Sequence, residues 1–311
     1  MDMPSHPEIE NHLTTREGFC HPNWQAISAY IENKVPESEQ KAAREWATRQ
    51  WLDRLRREFG GNYVIGETHN FLILAETVNQ ISSESCKFYE TALKQILATL
   101  KGAASNQSSG RHAVIIFSSL DAYYGYITYF YPEGNYPMTG GICFRDNSSI
   151  HFAFPTTNHF AERKTFVHEL THGCLAHLNL PTWLDEALAM RMEEVVCGSR
   201  MFVFDDNMLE RHVAHWNHDS IQGFWMGASW NMPGDDFELS YDLAQLLWRE
   251  IEVGFGASIK VLIAFIVTAD AGDGGEAACR RLFGASLDDV IAGILGPGDW
   301  KPDPKKWPTP Q

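Results

Sequence analysis

The segment His168-Glu169-Leu170-Thr171-His172 sets two imidazoles four residues apart, with a carboxylate beside the first. On a helix, that spacing brings both rings to one face, where they can bind the same zinc ion. Glu169 lies one step further round the axis, about 100° at 3.6 residues per turn. It can therefore reach a water on that ion without ligating the ion itself. A catalytic zinc site takes three protein ligands and keeps a fourth position open, and two histidines with one carboxylate make such a set. The carboxylate follows in Pro181-Thr182-Trp183-Leu184-Asp185-Glu186-Ala187, as Glu186. Glu193 and Glu194 are the alternatives. Glu193 lies about two turns past Glu186, so both cannot easily reach one ion. Cys174, two positions past His172, faces away from it on a helix and reads as core.

The elements that must hold these groups can be read from the pattern around them. A helix is expected over 158–178, ended by Asn179 and Pro181. Thr182 is expected as the cap of the next helix, with Asp185 as its capping-box partner, which puts Glu186 in the first turns. Before the first helix, 142–144 and 150–154 read as a hairpin across a 146–149 turn, suited to form an edge strand on which a peptide could lie. Further upstream, 23–59 is helical with a break at Pro36, 63–67 and 71–75 are strands, and 77–100 is an amphipathic helix. Residues 113–117 form a buried strand, and 123–131 reads as either helix or strand. Residues 1–21 read as loosely ordered. Helices are expected over 239–253, 257–268, 275–283 and 287–295, followed by an unpacked tail.

The expected fold class is therefore α+β, with a small mixed sheet whose edge hairpin packs on the helix of His168 and His172, followed by a mostly helical C-terminal lobe. The expected divisions are a helical arm over 1–60, a lobe with sheet and zinc helix over 61–180, a helical lobe with the third ligand over 181–296, and a flexible tail over 297–311.

A chain of 311 residues, 44% hydrophobic and 21% charged, can support a core and is not compositionally disordered. The net charge of −15 argues against nucleic acid or an anionic membrane as a main partner. The N-terminus shows neither a basic nor an apolar signal region, and the longest apolar run, 261–267, is too short to span a bilayer. A cytoplasmic location is expected on that basis. Six cysteines without a C-x-x-C pair read as reduced thiols.

Other histidines compete for attention. His212, His215 and His218 form an H-x-x-H-x-x-H series, read as a polar helix or loop in preference to a second metal site. His151 alternates with apolar residues on the expected edge strand and is read as facing solvent or the cleft. His69 reads as a turn residue, and His177 lies off the His168/His172 face. The tyrosines of 123–131 read as core and rim packing.

His168 to His172, followed by Leu180-Pro-Thr-Trp-Leu-Asp-Glu186-Ala, resembles the gluzincin zinc metallopeptidases of the peptidase-MA-like group. There H-E-L-T-H precedes a segment of the type L-P-x-W-L-x-E-G-x-A. The resemblance extends over 60–296, with the Tyr241-Asp-Leu-Ala244 and Phe255-Gly256 segments resembling later helices of that group. Ala187 departs from it, standing where glycine is common. Leu175 and Leu178 occupy the places of a metzincin's glycine and third histidine. The resemblance implies one Zn²⁺ per chain held by His168, His172 and Glu186, with Glu169 as general base.

A developing oxyanion needs a donor. Tyr241, which opens a helix after that of Glu186, is the candidate, with His215 as alternative. Asp185, Glu193 and Glu194 are candidates for orienting the histidines. The expected function is hydrolysis of peptide bonds in a peptide or protein substrate, as an endopeptidase, since no motif for capturing a chain terminus is visible. Two alternatives stay open: a catalytically silent zinc-binding interaction protein, and a zinc hydrolase of small amides. The oligomeric state is not legible.

Overall fold

The structure, a computed structural model, describes residues 6–16, 18–106, 108, 110–131, 140–146, 149–156, 158–198 and 204–308. The chain divides into two compact units. The first comprises residues 1–95 and 106–173, the second residues 96–105 and 174–311. The architecture is mixed α+β, with a five-stranded sheet and a small two-stranded one.

In the first unit, α1 (Pro7–Glu10) leads into a hairpin of β1 (Leu13–Arg16) and β2 (Phe19–Pro22). This segment is not loose, as its polar composition suggested. Its backbone is bonded by side chains of α3 (Glu37–Phe59), which follows α2 (Trp24–Lys34). Trp51 Nε1 donates to the Cys20 carbonyl at 3.1 Å, Glu58 accepts from the Cys20 N–H, and Arg54 donates to the Leu13 carbonyl. Asn23 caps α2 by accepting from the Ala26 N–H, and Pro36 separates the two helices as expected.

The larger sheet contains β3 (Val64–Glu67), β4 (Phe71–Ala75), β5 (His112–Phe117), β6 (Ile142–Asp146) and β7 (Ser149–Pro155) in the order β3-β4-β5-β7-β6. β4, β5 and β7 are parallel. β3 and β6 are the terminal strands, each antiparallel to its neighbour. The long α4 (Ser83–Thr99) between β4 and β5 permits their parallel pairing, which a tight turn cannot make. Helices cover both faces, so β4 and β5 are buried at every position. Leu72, Leu74, Ile115, Phe117 and Ala153 share a core with Trp24, Trp46, Trp51 and Leu55 of the N-terminal helices, and with Tyr123 and Tyr126 of α5 (Leu120–Phe130). Phe71, Phe152 and Phe154, of opposite strand parity, meet Phe166 of α6 (His159–Leu175). Residues 123–131, read as helix or strand, thus fall mainly in a helix. Of the 146–149 turn, Asn147 and Ser148 lie outside the described residues.

The second unit is helical: α7 (Thr182–Cys197), α8 (Asp206–His215), α9 (Ser220–Trp225), α10 (Asp235–Arg249), α11 (Ile259–Thr268), α12 (Glu276–Phe283) and α13 (Leu287–Leu295). α10 packs along α7 and runs on into a π-helical turn, Glu250–Gly254. The segment after Gly296 is packed rather than free. Trp300 is 7% exposed, its carbonyl accepts from Trp225 Nε1 at 2.8 Å, and Gln222 bonds Lys301, Asp303 and Trp307. Pro and Lys content concealed the two tryptophans that dock it. No helix of the described residues is long and apolar enough to cross a membrane.

Three histidines are core residues. Burial lowers His112 to about 4, His151 to about 3 and His212 to about 4, from 6.5. Between those values and 6.5 the unfolded chain binds protons that the folded chain refuses, so stability rises with pH across that window and is lost as pH falls through it. A residue shifted to about 4 opposes folding by about 3 kcal/mol once pH is below that value. Urea midpoints should therefore fall steadily from pH 7 to pH 4.5, and His151→Phe should flatten the slope by about one proton. An unchanged slope in that variant would contradict a buried neutral His151.

Candidate metal centre

Residues of α6 around His168 are buried, and the sequence shows how it comes so close to the sheet. At Gly173, an added Cβ would lie 2.8 Å from the Phe152 ring of β7. At Gly141, just before β6, it would lie 2.4 Å from Thr165 Cγ2 and 3.2 Å from Glu169 Cγ. Only glycine lets the backbone approach so closely at either point. From β6, Arg145 Nη2 donates to the His172 carbonyl at 3.1 Å, bonding a carbonyl in the last turn of α6.

The resulting face carries His168 and His172 with ring centroids 4.7 Å apart at 78°. His172 is 8% exposed and Glu169 7%. Glu186 sits in the first turns of α7, as expected, but the cap differs. Pro181, not Thr182, is the cap residue, and no side chain completes it. The Pro181 carbonyl accepts from Leu184 and Asp185 N–H, while Thr182 begins the helix. Proline's fixed φ suits that position without a hydroxyl cap.

His168, His172 and Glu186 form a group that can hold a metal ion. One ligand atom from each, all within 4.8 Å of one another, gives two imidazole nitrogens and a carboxylate oxygen. Such a set fits a borderline-soft divalent ion. Among the described residues this is the one such group of histidine, cysteine and acidic side chains.

The other sequence candidates have surroundings of their own. α8 ends at His215, so the three histidines do not share a helix face. His212 is buried and accepts from Trp216 Nε1 at 3.0 Å, His215 pairs with Asp236 at 3.4 Å, and His218 pairs with Asp299 at 3.2 Å. His151 faces neither solvent nor cleft. β7 lies inside the sheet rather than at its edge, and the ring packs on Phe144 and Trp51 and shares a hydrogen bond with the Tyr126 hydroxyl at 3.0 Å. Cys174 is fully buried, its thiol pushed up to about 12 by burial, as a core cysteine would be. Glu194 pairs with Arg191 at 3.2 Å. Tyr241 does not open a helix as expected but lies in the middle of α10, which begins at Asp235, its ring against Phe237 and Trp230 at 5.0 and 6.3 Å.

Tyr131, at the end of α5, packs at the rim of the core, as read, and its phenol is raised first by burial and then by the charge of Glu169. Its neighbours Tyr123 and Tyr126 are core, as read. The signal separating Tyr131 from them was its position at the helix end, just before Pro132. No protein-family model matches the chain, and no curated protein matches it.

Gly141→Ala should destabilise the protein by about 1–3 kcal/mol in urea unfolding. Gly140→Ala, whose nearest contact would be 3.6 Å, should be near neutral. Thr165→Ser, which deletes the clashing methyl, should restore part of the loss. Equal effects of the two alanines would refute the close approach.

Proposed function

We propose that this chain is a zinc-dependent peptide hydrolase with a zincin-like fold, resembling the gluzincins. The observation that carries the proposal is the convergence of His168, His172 and Glu186 within 4.8 Å, with a buried carboxylate, Glu169, next to the first of them. A site with a purely structural role has no use for that fourth group.

Bound by the three side chains, zinc would act as a Lewis acid, lowering the pKa of water towards roughly 7 and polarising a carbonyl. Glu169 accepts a proton from the attacking water and returns it to the leaving amine. Its burial excludes competing solvent from that step. Among the described strands β6 is terminal and starts against Glu169, the kind of position at which an extended peptide adds to a sheet. For the developing oxyanion, Tyr241 remains the donor expected from sequence, and Tyr131, whose phenol feels the charge of Glu169, is a second. Favouring peptides over small amides rests on β6, since a small amide needs no strand.

Metal content and peptide-library cleavage, measured on the same samples, test this. Wild type should hold about one zinc and cleave peptides. Glu186→Ala should lose the metal. Glu169→Gln should keep it and lose about 10²–10⁴-fold in rate. Zinc without cleavage of any peptide, but with turnover of small amides, would favour the small-amide reading. Zinc with neither would favour the silent binding protein.

Between the tyrosines, the true oxyanion donor should cost about 10²–10³ in kcat when changed to Phe, with KM little altered. Equal, small effects of Tyr131→Phe and Tyr241→Phe would exclude both.

A further inference from the structure

In a regular helix the N–H of residue 186 bonds the carbonyl of residue 182, which is the first residue of α7. Fraying of that first turn would therefore displace Glu186. Helix starts are commonly pinned by a capping side chain, but Pro181, the cap residue of α7, supplies no side-chain bond. The start of α7 is held from outside instead.

Residues 270–275 supply most of the hold. The Trp183 indole N–H, buried, donates to the Gly274 carbonyl at 2.9 Å. The Asn179 carbonyl accepts from the Ala271 N–H at 2.9 Å, and the Asn179 amide donates to Asp270 at 3.2 Å. Pro181 faces Gly275, where an added Cβ would lie 3.6 Å from the proline ring. On Thr182, the contact comes from Gly227, where an added Cβ would lie 2.3 Å from Thr182 Oγ1. The 270–275 segment is in turn fixed by its own acidic side chains. Asp270 accepts from the Gly272 N–H at 2.7 Å, and Asp273 accepts from the Gly275 and Ala277 N–H groups at 2.8 and 2.9 Å. Gly274 and Gly275 take the left-handed conformations, φ 68° and 90°, that this path needs.

We propose that Trp183 is a positioning residue for Glu186. Anchored on Gly274, it keeps the first turn of α7 wound and so keeps the Glu186 carboxylate within reach of an ion shared with His168 and His172. This inference rests on the metal reading of those three side chains.

The test measures zinc affinity of the full chain by chelator competition, with urea stability on the same samples. Trp183→Phe retains an aromatic ring and removes the donor. The folded variant should bind zinc about tenfold more weakly than wild type. Trp216→Phe is the comparison, because it removes another buried indole bond of the same unit, to His212 at 3.0 Å. It should lower stability and leave zinc affinity unchanged. Coupling between sites is reciprocal. In wild type, zinc should therefore slow hydrogen exchange at the Trp183 indole about tenfold more than at the Trp216 indole, a measurement that stands even where Trp183→Phe does not fold.

Equal zinc affinity in wild type and folded Trp183→Phe would overturn the positioning role. So would an equal loss of affinity in the two variants, or equal slowing at the two indoles. A wild-type chain that takes up no zinc would overturn the metal reading, and this inference with it.

Discussion

The structure around the site depends on one constraint: α6 must bring polar groups into a densely packed environment without leaving them exposed to bulk water. Glu169, Thr171 and His172 are all buried on a helix whose other buried side chains are Phe166, Val167, Leu170, Cys174 and Leu175. Burying polar and charged groups is costly unless they are bonded. Thr171 Oγ1 is bonded to the Val167 carbonyl at 2.8 Å, and the helix backbone lies close to the strands. Two glycines make this possible, one on the helix against Phe152 and one at the start of β6 against Thr165 and Glu169. Arg145 then ties β6 to the carbonyl of His172. The same contacts that seat α6 on the sheet therefore place Glu169 beside the terminal strand.

Histidine serves two opposite purposes in this chain. His112, His151 and His212 lie among aromatic rings, where burial holds them neutral, and they act as shaped core residues. His168 and His172 instead converge with a carboxylate. Residue type cannot separate the two uses. Spacing on one helix face does, because only there do two rings reach a common point.

That difference explains what was legible in the sequence. The His168/Glu169/His172 face and the helix start bearing Glu186 rest on local periodicity, which a sequence displays directly. So do β4 and α13, whose limits match the apolar pattern. What was hidden depends on tertiary contacts. The N-terminal hairpin is fixed by Trp51, Arg54 and Glu58, some 30 to 40 residues away in sequence. The segment around Trp300 is fixed by Gln222 and Trp225. His151 was misread because strand order, not strand pattern, decides which strand is the edge. Thr182 looked like a cap because capping statistics favour its hydroxyl, whereas the preceding proline supplies the turn.

The central claim is that His168, His172 and Glu186 bind one metal ion. X-ray absorption at the zinc edge of the purified, zinc-loaded chain tests it most directly. The account predicts a first shell of nitrogen and oxygen alone at about 2.0–2.2 Å, with imidazole outer-shell scattering from two histidines that is lost in His168→Ala and His172→Ala. A sulfur shell near about 2.3 Å, or imidazole scattering unchanged in both variants, would contradict it.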